Sequence, residues 1–370
     1  MGEFEEYLRS KEPGRAERAY LWRTAIGLQK VDGLTPSAYL VETARRNIEG
    51  EITIEESGRL IGEYYKVKKV RAEAAKTRTD EADIVSQHIA EILGEPTFAL
   101  SVPAYVAIHR KLFAGVYKHA GRIRDYNITK EEWVLRKDTV RYESADVIAD
   151  TLEYEFTRER AFRYQGLMPI EVVSHISRFI SDVWQIHPFG EGNTRTTAIF
   201  TIKYLRSLGF DVNNEVFADN AYYFRNALVR ANYTNIPKGI HPTLVYLERF
   251  FANLLLGENH RLQSRYLLVG QEDVGMSLVP KEREQVREQV EEQVSKAPTK
   301  FVQRLLKVMD GEMSVLEMMA ALKLGGRRNF LEKYLAPAVN GGLVEMTQPN
   351  SPRSPTQKYR LTAKGKGAAR

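Results

Sequence analysis

Residues 187–195 read His-Pro-Phe-Gly-Glu-Gly-Asn-Thr-Arg, and they separate two segments in which apolar residues recur at helical spacing. The apolar positions are Ile170, Val173, Ile176, Ile180 and Val183 before the stretch, and Ile199, Ile202, Leu205 and Leu208 after it. Pro188 cannot continue a helix, and it favours an extended conformation for the residue before it. The stretch therefore predicts a tight loop between two helices, in a chain whose other patterns also predict a mostly α fold.

The residues of this loop are suited to binding a phosphate-containing group. Gly192 and Asn193 stand just before the second helix, where free backbone N–H groups and the helix dipole attract an anion. His187 is a candidate general base, Glu191 a candidate ligand for Mg²⁺, and Arg195 a candidate phosphate clamp. Together they supply the groups that transfer of a phosphate-containing group requires.

The pattern of residues 187–195 resembles the signature of the Fic family, whose best-known members transfer AMP from ATP to protein hydroxyls. The resemblance implies that His187 takes a proton from a Ser, Thr or Tyr hydroxyl of the target, and that Glu191 holds Mg²⁺. It implies that Phe189 anchors the loop in the core. The nucleotide-binding residues that it implies are Phe189, Gly190, Gly192, Asn193, Thr194, Arg195 and Asn232.

The loop departs from the Fic pattern at two positions. Thr194 replaces the second glycine of Gly-Asn-Gly, and Ala198 stands where a second arginine usually follows. In the family, that arginine steadies the γ-phosphate and pairs with an inhibitory glutamate, so its loss predicts weaker or rearranged autoinhibition. The Doc-type kinase variant has Ala and Lys in this loop, and Gly192 and Thr194 argue against that variant.

Residues 1–76 show three helical patterns, at 19–31, after the Thr-Pro-Ser of 35–37, and at 54–65. This segment resembles the antitoxin-like inhibitory unit of many Fic proteins, whose inhibitory helix ends Ser/Thr-x-x-x-Glu-Gly/Asn. Asp32-Gly33 and Glu49 each match that ending in part, and the order of the following helices favours Asp32-Gly33. The alternative is a small helical bundle without an inhibitory role.

Within residues 77–270, two β-prone triads predict a short exposed hairpin before the loop. An isolated hairpin in a helical domain is marginal unless something packs on it or pairs with it. This one resembles the Fic flap, which lays a target peptide alongside as an added strand. The candidate target-binding residues are Trp133, Val134, Leu135, Thr139 and Val140. The alternative is a plain surface hairpin.

Residues 271–298 predict a charged helical linker, and 299–370 predict three short helices followed by two strands. The second pattern resembles a winged helix–turn–helix, with Arg327 and Arg328 starting the recognition helix and Arg353 in the wing. Residues 299–370 hold 13 Lys/Arg and 5 Asp/Glu, a net charge of +8, whereas the rest of the chain has a net charge of −2. The sequence favours two interpretations of 299–370 equally. One is binding of duplex DNA, and the other is protein contact or dimerisation.

The composition, 43% hydrophobic and 28% charged over 370 residues, is that of a globular protein. The absence of cysteine excludes disulfides, thiolate catalysis and cysteine-ligated zinc. There is no apolar run of membrane-spanning length, and the acidic N-terminus lacks the apolar region of a signal peptide. We therefore expect no contact with a membrane and a cytoplasmic location.

These patterns predict an enzyme that transfers AMP from ATP, with Mg²⁺, to a protein hydroxyl, its own included, under restraint by an N-terminal helix. One alternative is a DNA-binding winged-helix regulator in which the Fic fold senses a nucleotide. Another is a Fic enzyme that transfers a different nucleotide-derived group. The sequence leaves open the protein target, the nucleotide and whether the chain forms a homodimer.

Overall fold

A computed structural model of the chain describes residues 4–8, 12–212, 215–270, 300–322, 324, 330–349 and 357–369. Its described residues form two compact units. The first comprises residues 4–124, 128–140 and 151–270, and the second 125–127, 141–150 and the C-terminal residues from 300 on. The predicted mostly α fold is confirmed. No helix in the described part of the chain has both the length and the apolar character needed to cross a bilayer.

The first unit begins with the helices α1 (Glu5–Leu8), α2 (Pro13–Leu28), α3 (Ala38–Glu49), α4 (Ile54–Lys66), α5 (Lys68–Thr77) and α6 (Thr79–Gly94). A 3-10 turn over Gln29–Asp32, which we call the 29–32 turn, extends α2 and ends at Gly33 in the left-handed region with φ 68°. The Ser37 side chain caps α3, and Thr53 forms a capping box at the start of α4.

These N-terminal helices pack into the first unit around α2 and α6. The Trp22 side chain on α2 is fully buried and its indole N–H donates to Asn47 Oδ1 at 2.9 Å. Asp83 on α6 is buried, accepts from the backbone N–H of Ser37 at 2.8 Å, and accepts from the Tyr65 hydroxyl at 2.6 Å. A single carboxylate on α6 therefore fixes both α3 and α4. The predicted domain boundary at residue 76 stays a prediction.

The second half of this unit contains α7 (Val102–Leu112), the part of α8 (Ile148–Ala161) from Thr151 on, α9 (Pro169–Ile186), α10 (Asn193–Ser207), α11 (Val216–Asn232) and α12 (Val245–Leu256). From Asn193 to Leu205, every residue of α10 is buried. Phe200 on α10 packs against Tyr105, Phe156 and Phe179, so that rings from four helices meet. The loop of residues 187–195 thus lies between two core helices.

The predicted hairpin is present but shorter and differently placed. Strands β1 (Glu131–Glu132) and β2 (Asp138–Thr139) pair antiparallel, with Glu132 opposite Asp138. The prediction of a strand over residues 133–135 is wrong, because Trp133–Leu135 form a 3-10 turn whose Val134 carbonyl accepts from the Val269 N–H at 2.9 Å.

The second unit contains helices Lys300–Val308, Val315–Ala321 and Ala336–Asn340, and a single π turn over Leu331–Leu335. Strands β3 (Val344–Met346) and β4 (Tyr359–Leu361) pair antiparallel, and a helix that the sequence did not predict follows at Ala363–Ala368. The predicted contact residues Arg327, Arg328 and Arg353 and the linker 271–298 lie outside the described residues. The winged-helix interpretation therefore stays a prediction.

Candidate active site

The loop between α9 and α10 is held in two unusual backbone conformations. His187 follows α9 directly and has φ 50° and ψ 59°, in the left-handed region. The extended conformation expected before Pro188 is therefore wrong, and a left-handed residue turns the chain sharply at the end of the helix. Gly192, with φ 76°, precedes α10, and a Cβ atom there would lie 2.2 Å from the Phe113 ring.

The close contact at Gly192 gives a stability prediction. We expect Gly192→Ala to lower the free energy of unfolding by about 2–5 kcal/mol, since left-handed strain and overpacking add. Gly257→Ala is the matched control, because Gly257 has φ 67° and a Cβ atom there would meet no described atom within 4 Å beyond its chain neighbours. Urea unfolding, monitored by tryptophan fluorescence, measures the stability of the first unit, which holds all three tryptophans. Equal losses in the two variants would show that Phe113 does not restrict this position.

Side chains on both sides of the loop fix its shape. The Asn193 amide accepts from the Phe189 N–H at 2.9 Å and donates to the Phe189 carbonyl at 2.7 Å. Phe189 is fully buried and stacks on His109 with ring centroids 3.7 Å apart. His109 Nδ1 accepts from the Gly121 N–H at 2.8 Å, so Nε2 carries the proton and donates to the Glu191 carbonyl at 3.0 Å. Burial lowers the pKa of His109 to about 4, which keeps this ring neutral.

Arg124 holds the first half of the loop, a role that the sequence did not indicate. Its Nε donates to the His187 carbonyl at 2.8 Å and its Nη2 donates to the Ile186 carbonyl at 3.3 Å. Its backbone N–H also donates to the Pro188 carbonyl at 2.9 Å. One buried guanidinium thus satisfies carbonyls at the end of α9 that have no partner within the helix.

His187 is only 3% exposed. Its Nδ1 lies 3.3 Å from the Trp184 carbonyl oxygen. Because a carbonyl only accepts hydrogen bonds, Nδ1 carries the proton, and the lone pair of the neutral ring is on Nε2. Burial lowers the pKa of His187 well below 6.5, and the positive charges of Lys130, Arg124 and Arg225 lower it further. The imidazole is therefore neutral at neutral pH, the state that a general base requires.

Thr194 has a structural reason to replace the glycine of the family pattern. Its hydroxyl accepts from the Trp184 indole N–H at 2.9 Å, which ties the first turn of α10 to the last turn of α9. A glycine would leave this buried indole without that partner. Ala198, one turn further along α10, is fully buried and brings no charge to the site.

Arg195 is 1% exposed and is surrounded by groups from other elements. Its Nε lies 2.8 Å from Asp32 Oδ2, its Nη1 donates to Gln29 Oε1 at 3.1 Å, and its Nη2 donates to Glu81 Oε1 at 2.7 Å. The guanidinium also lies over the Phe113 ring, 4.9 Å from its centroid. The positive charge of the candidate phosphate clamp is thus neutralised within the first unit.

The 29–32 turn is therefore the element that covers Arg195. Gln29 and Asp32 both come from this turn, and Arg225 on α11 holds it from the other side by donating from Nη1 to the Val31 carbonyl at 3.1 Å. In the absence of a second loop arginine, Asp32 meets Arg195 and, at 4.0 Å, Arg225. Glu49, the less favoured inhibitory candidate, instead accepts a hydrogen bond from the Tyr7 hydroxyl.

Glu191 offers the only acidic side chain of the loop. Its carboxylate is 57% exposed and lies 3.0 Å from Lys130 Nζ. Among the described residues, no group of three or more His, Asp or Glu side chains could enclose a metal ion. An exposed single carboxylate fits a Mg²⁺ ion whose other ligands are phosphate oxygens and water, as is usual for this ion.

The structure places Asn232 between α11 and α9. Its amide donates to Ser181 Oγ at 2.9 Å and to the Leu228 carbonyl at 2.9 Å. The first contact joins α11 to α9 and the second lies within α11, so a nucleotide-binding role for Asn232 rests on the family resemblance alone.

The candidate flap residues separate into two groups. Trp133 is half exposed, with Tyr222 at 6.3 Å between ring centroids, and the Thr139 hydroxyl accepts from the Lys130 N–H at 3.2 Å. Val134, Leu135 and Val140 are buried in the first unit. Their predicted exposure is wrong, because the 3-10 turn directs two of these side chains into the core.

Two family models match segments of this chain. Residues 99–205 match the model described as "Fic/DOC family". Residues 300–362 match the model "Filamentation induced by cAMP protein Fic-like, C-terminal domain". The segment that holds the loop of residues 187–195 is therefore similar to the Fic/DOC family, and the C-terminal segment is similar to the Fic-like C-terminal domain.

Two curated relatives are named as adenylyltransferases. "Protein adenylyltransferase VbhT" of Bartonella schoenbuchensis is 29% identical over 106 residues, which are 29% of this chain and 21% of that protein. "Probable protein adenylyltransferase y4lH" of Sinorhizobium fredii is 26% identical over 137 residues, which are 37% of this chain and 67% of that protein. A crystal structure of a Fic family protein from Desulfovibrio desulfuricans is 20% identical, covers 98% of this chain and 91% of that chain, and has a TM-score of 0.45.

Proposed function

We propose that this protein transfers AMP from ATP to a hydroxyl of a protein, itself included, and that the 29–32 turn restrains the transfer. The observation that carries the proposal is the loop of residues 187–195. A neutral His187 is held at the end of α9, and Arg195 lies in the first turn of α10, where an anion is attracted. The relatives named as adenylyltransferases support the same reaction.

In the proposed reaction the target hydroxyl donates its proton to His187 Nε2 while its oxygen bonds to the α-phosphorus of ATP. The bond between the α-phosphorus and the bridging oxygen breaks, and pyrophosphate leaves. Backbone N–H groups at the start of α10 and the Arg195 guanidinium hold the phosphates. Glu191 would hold the Mg²⁺ that accompanies ATP, which supplies charge neutralisation for the phosphates when bound.

The restraint follows from the contacts of Arg195. The carboxylate of Asp32 occupies one edge of the guanidinium and Glu81 another, so a phosphate must displace at least one of them. Glu81 is further held by the Tyr117 hydroxyl at 2.7 Å and by Arg78 at 2.8 Å. Asp32 belongs to a short turn and is 28% exposed, so we assign the displaceable contact to Asp32.

The proposal is tested by mass spectrometry of the full-length protein after incubation with ATP and Mg²⁺. We expect a mass increase of one AMP residue, located by peptide mapping on a Ser, Thr or Tyr side chain. GTP, CTP and UTP, supplied separately, test the alternative of another nucleotide. An added phosphate instead of AMP, or no adduct in either the wild type or Asp32→Asn, would contradict the proposal.

The lowered pKa of His187 gives a prediction for the pH dependence of transfer. The base must be deprotonated, and a pKa lowered by burial and by Lys130 keeps it deprotonated at pH values below its ordinary 6.5. The rate measured with Asp32→Asn should therefore stay constant as the pH falls from 8 to 6.5 and decline only well below 6.5. A decline centred at 6.5 would show that His187 titrates as an exposed imidazole during catalysis.

A further inference from the structure

Arg225 on α11 connects two elements beside the loop of residues 187–195. Its Nη1 donates to the Val31 carbonyl in the 29–32 turn at 3.1 Å. Its Nη2 donates to both carboxylate oxygens of Glu132 in β1, at 3.0 and 3.1 Å. Glu132 is 3% exposed, so this contact is a buried charge pair. The guanidinium therefore has one edge toward the turn and one edge toward the hairpin.

The edge toward the turn is part of an anion site. Asp32 Oδ2 lies 2.8 Å from Arg195 Nε, and Asp32 Oδ1 lies 4.0 Å from Arg225 Nη1. One carboxylate thus lies between guanidiniums from α10 and α11. Planar guanidiniums bind phosphate oxygens by the same charge-assisted hydrogen bonds as carboxylate oxygens. Whatever anion replaces Asp32 meets two positive charges.

The charge that α10 lacks is thus available from α11. Ala198, one turn beyond Arg195, is buried and uncharged, so α10 directs a single guanidinium at this site. Arg225 is 24% exposed, whereas Arg195 is 1% exposed. Its partial exposure allows it to exchange the Val31 carbonyl for a ligand without opening the core.

We propose that Arg225 is a phosphate-binding residue, and that the terminal phosphates of the nucleotide take the place of Asp32 between Arg195 and Arg225. The proposal rests on the proposed function for the choice of a nucleotide, but not on the transfer step. Because Nη2 stays on Glu132, the same residue links β1 to the bound nucleotide. Arg225 then binds the nucleotide directly and positions the hairpin through Glu132.

Isothermal titration with ATP and with AMP, each with Mg²⁺, tests this proposal. We compare Asp32→Asn with Asp32→Asn/Arg225→Gln. Loss of a charge-assisted contact should weaken ATP binding by about tenfold to a hundredfold. AMP has no terminal phosphates, so its affinity should not change, and the ratio of ATP to AMP affinity should fall. Glu132→Gln in the Asp32→Asn background is the matched control, because it removes the charge from the link to β1 and keeps the guanidinium.

A buried Glu132 left without Arg225 could unfold the variant, so Arg225→Gln is also combined with Glu132→Gln, which removes that charge. The ratio should fall in this combination as well. A ratio that is unchanged in both Arg225 variants, a fall of equal size in Glu132→Gln alone, or no ATP binding by Asp32→Asn would overturn the proposal. A lower ratio in a protein that transfers no AMP would uphold Arg225 and contradict the proposed function.

Discussion

Replacing His187 by alanine should lower the rate of AMP transfer by about 10²–10⁴-fold, the usual effect of removing a general base. Binding of ATP should change little, because the base acts on the target hydroxyl and not on the nucleotide. Folding should also be retained, since the loop is held by Arg124 through backbone carbonyls and by the Asn193 side chain. Initial rates of auto-modification and a parallel titration with ATP measure both quantities.

His241→Ala is the matched control for this variant, because His241 is an exposed histidine of the same unit. Its rate should equal that of the wild type. Tryptophan fluorescence during urea unfolding shows whether His187→Ala is folded. A folded His187→Ala protein with wild-type activity would mean that another group takes the proton.

The second large effect is expected from Asp32→Asn, which should raise the rate of auto-modification by about tenfold to a hundredfold. The substitution keeps the size of the side chain and removes the charge that faces Arg195 at 2.8 Å. The contact is a close ion pair, and the free energy that couples such a contact to ligand binding is typically about 1–3 kcal/mol, which the phosphate would no longer have to overcome. Rates from full-length protein at ATP concentrations well below saturation measure the gain, because saturating ATP would itself displace Asp32.

Glu49→Gln is the side-by-side comparison, because Glu49 is the other N-terminal carboxylate that the sequence offered. It contacts Tyr7 and should leave the rate unchanged. A gain in Glu49→Gln without one in Asp32→Asn would reverse the assignment of the inhibitory carboxylate. Equal rates in the wild type, Asp32→Asn and Glu49→Gln would mean that the 29–32 turn covers Arg195 without inhibiting transfer.

Deletion of the N-terminal segment through Gly50 is a less selective way to test the same restraint. We expect it to raise auto-modification too, but α2 would be lost with it. The Trp22 and Leu28 side chains are fully buried, and a Cβ on Gly27 would lie 2.3 Å from the Ala218 carbonyl oxygen of α11. Removing α2 would therefore uncover the core, which the point variant leaves intact.

Features set by neighbouring residues could be predicted from the sequence. Ser37 caps α3, Thr53 and Glu56 form a capping box, and the helices on both sides of residues 187–195 end and begin where Pro188 and Gly192 indicate. Capping and helical periodicity depend on residues that are close together in the sequence, so the sequence alone predicts them.

Features set by distant residues could not be predicted in this way. Arg124 and His109 hold the loop from α7 and the segment after it, and Arg225 lies 30 residues beyond Arg195 on another helix. No spacing rule connects these positions, because tertiary packing brings them together.

The hairpin shows how tertiary contacts override a β-prone pattern. Val134 and Leu135 have strand-like neighbours in sequence, yet each is buried in a 3-10 turn, and the Val134 carbonyl bonds to Val269. Strands of two residues carry too little alternation to fix their register, so burial of these side chains decides the conformation.

The central claim, transfer of AMP by this loop, is tested most directly by labelling Asp32→Asn with ATP that carries the label on either the α- or the γ-phosphorus. Asp32→Asn/His187→Ala provides the inactive reference. We predict protein-bound label from α-labelled ATP, none from γ-labelled ATP, and almost none from either in the double variant. Label from γ-labelled ATP, or equal α-label in both proteins, would contradict the account.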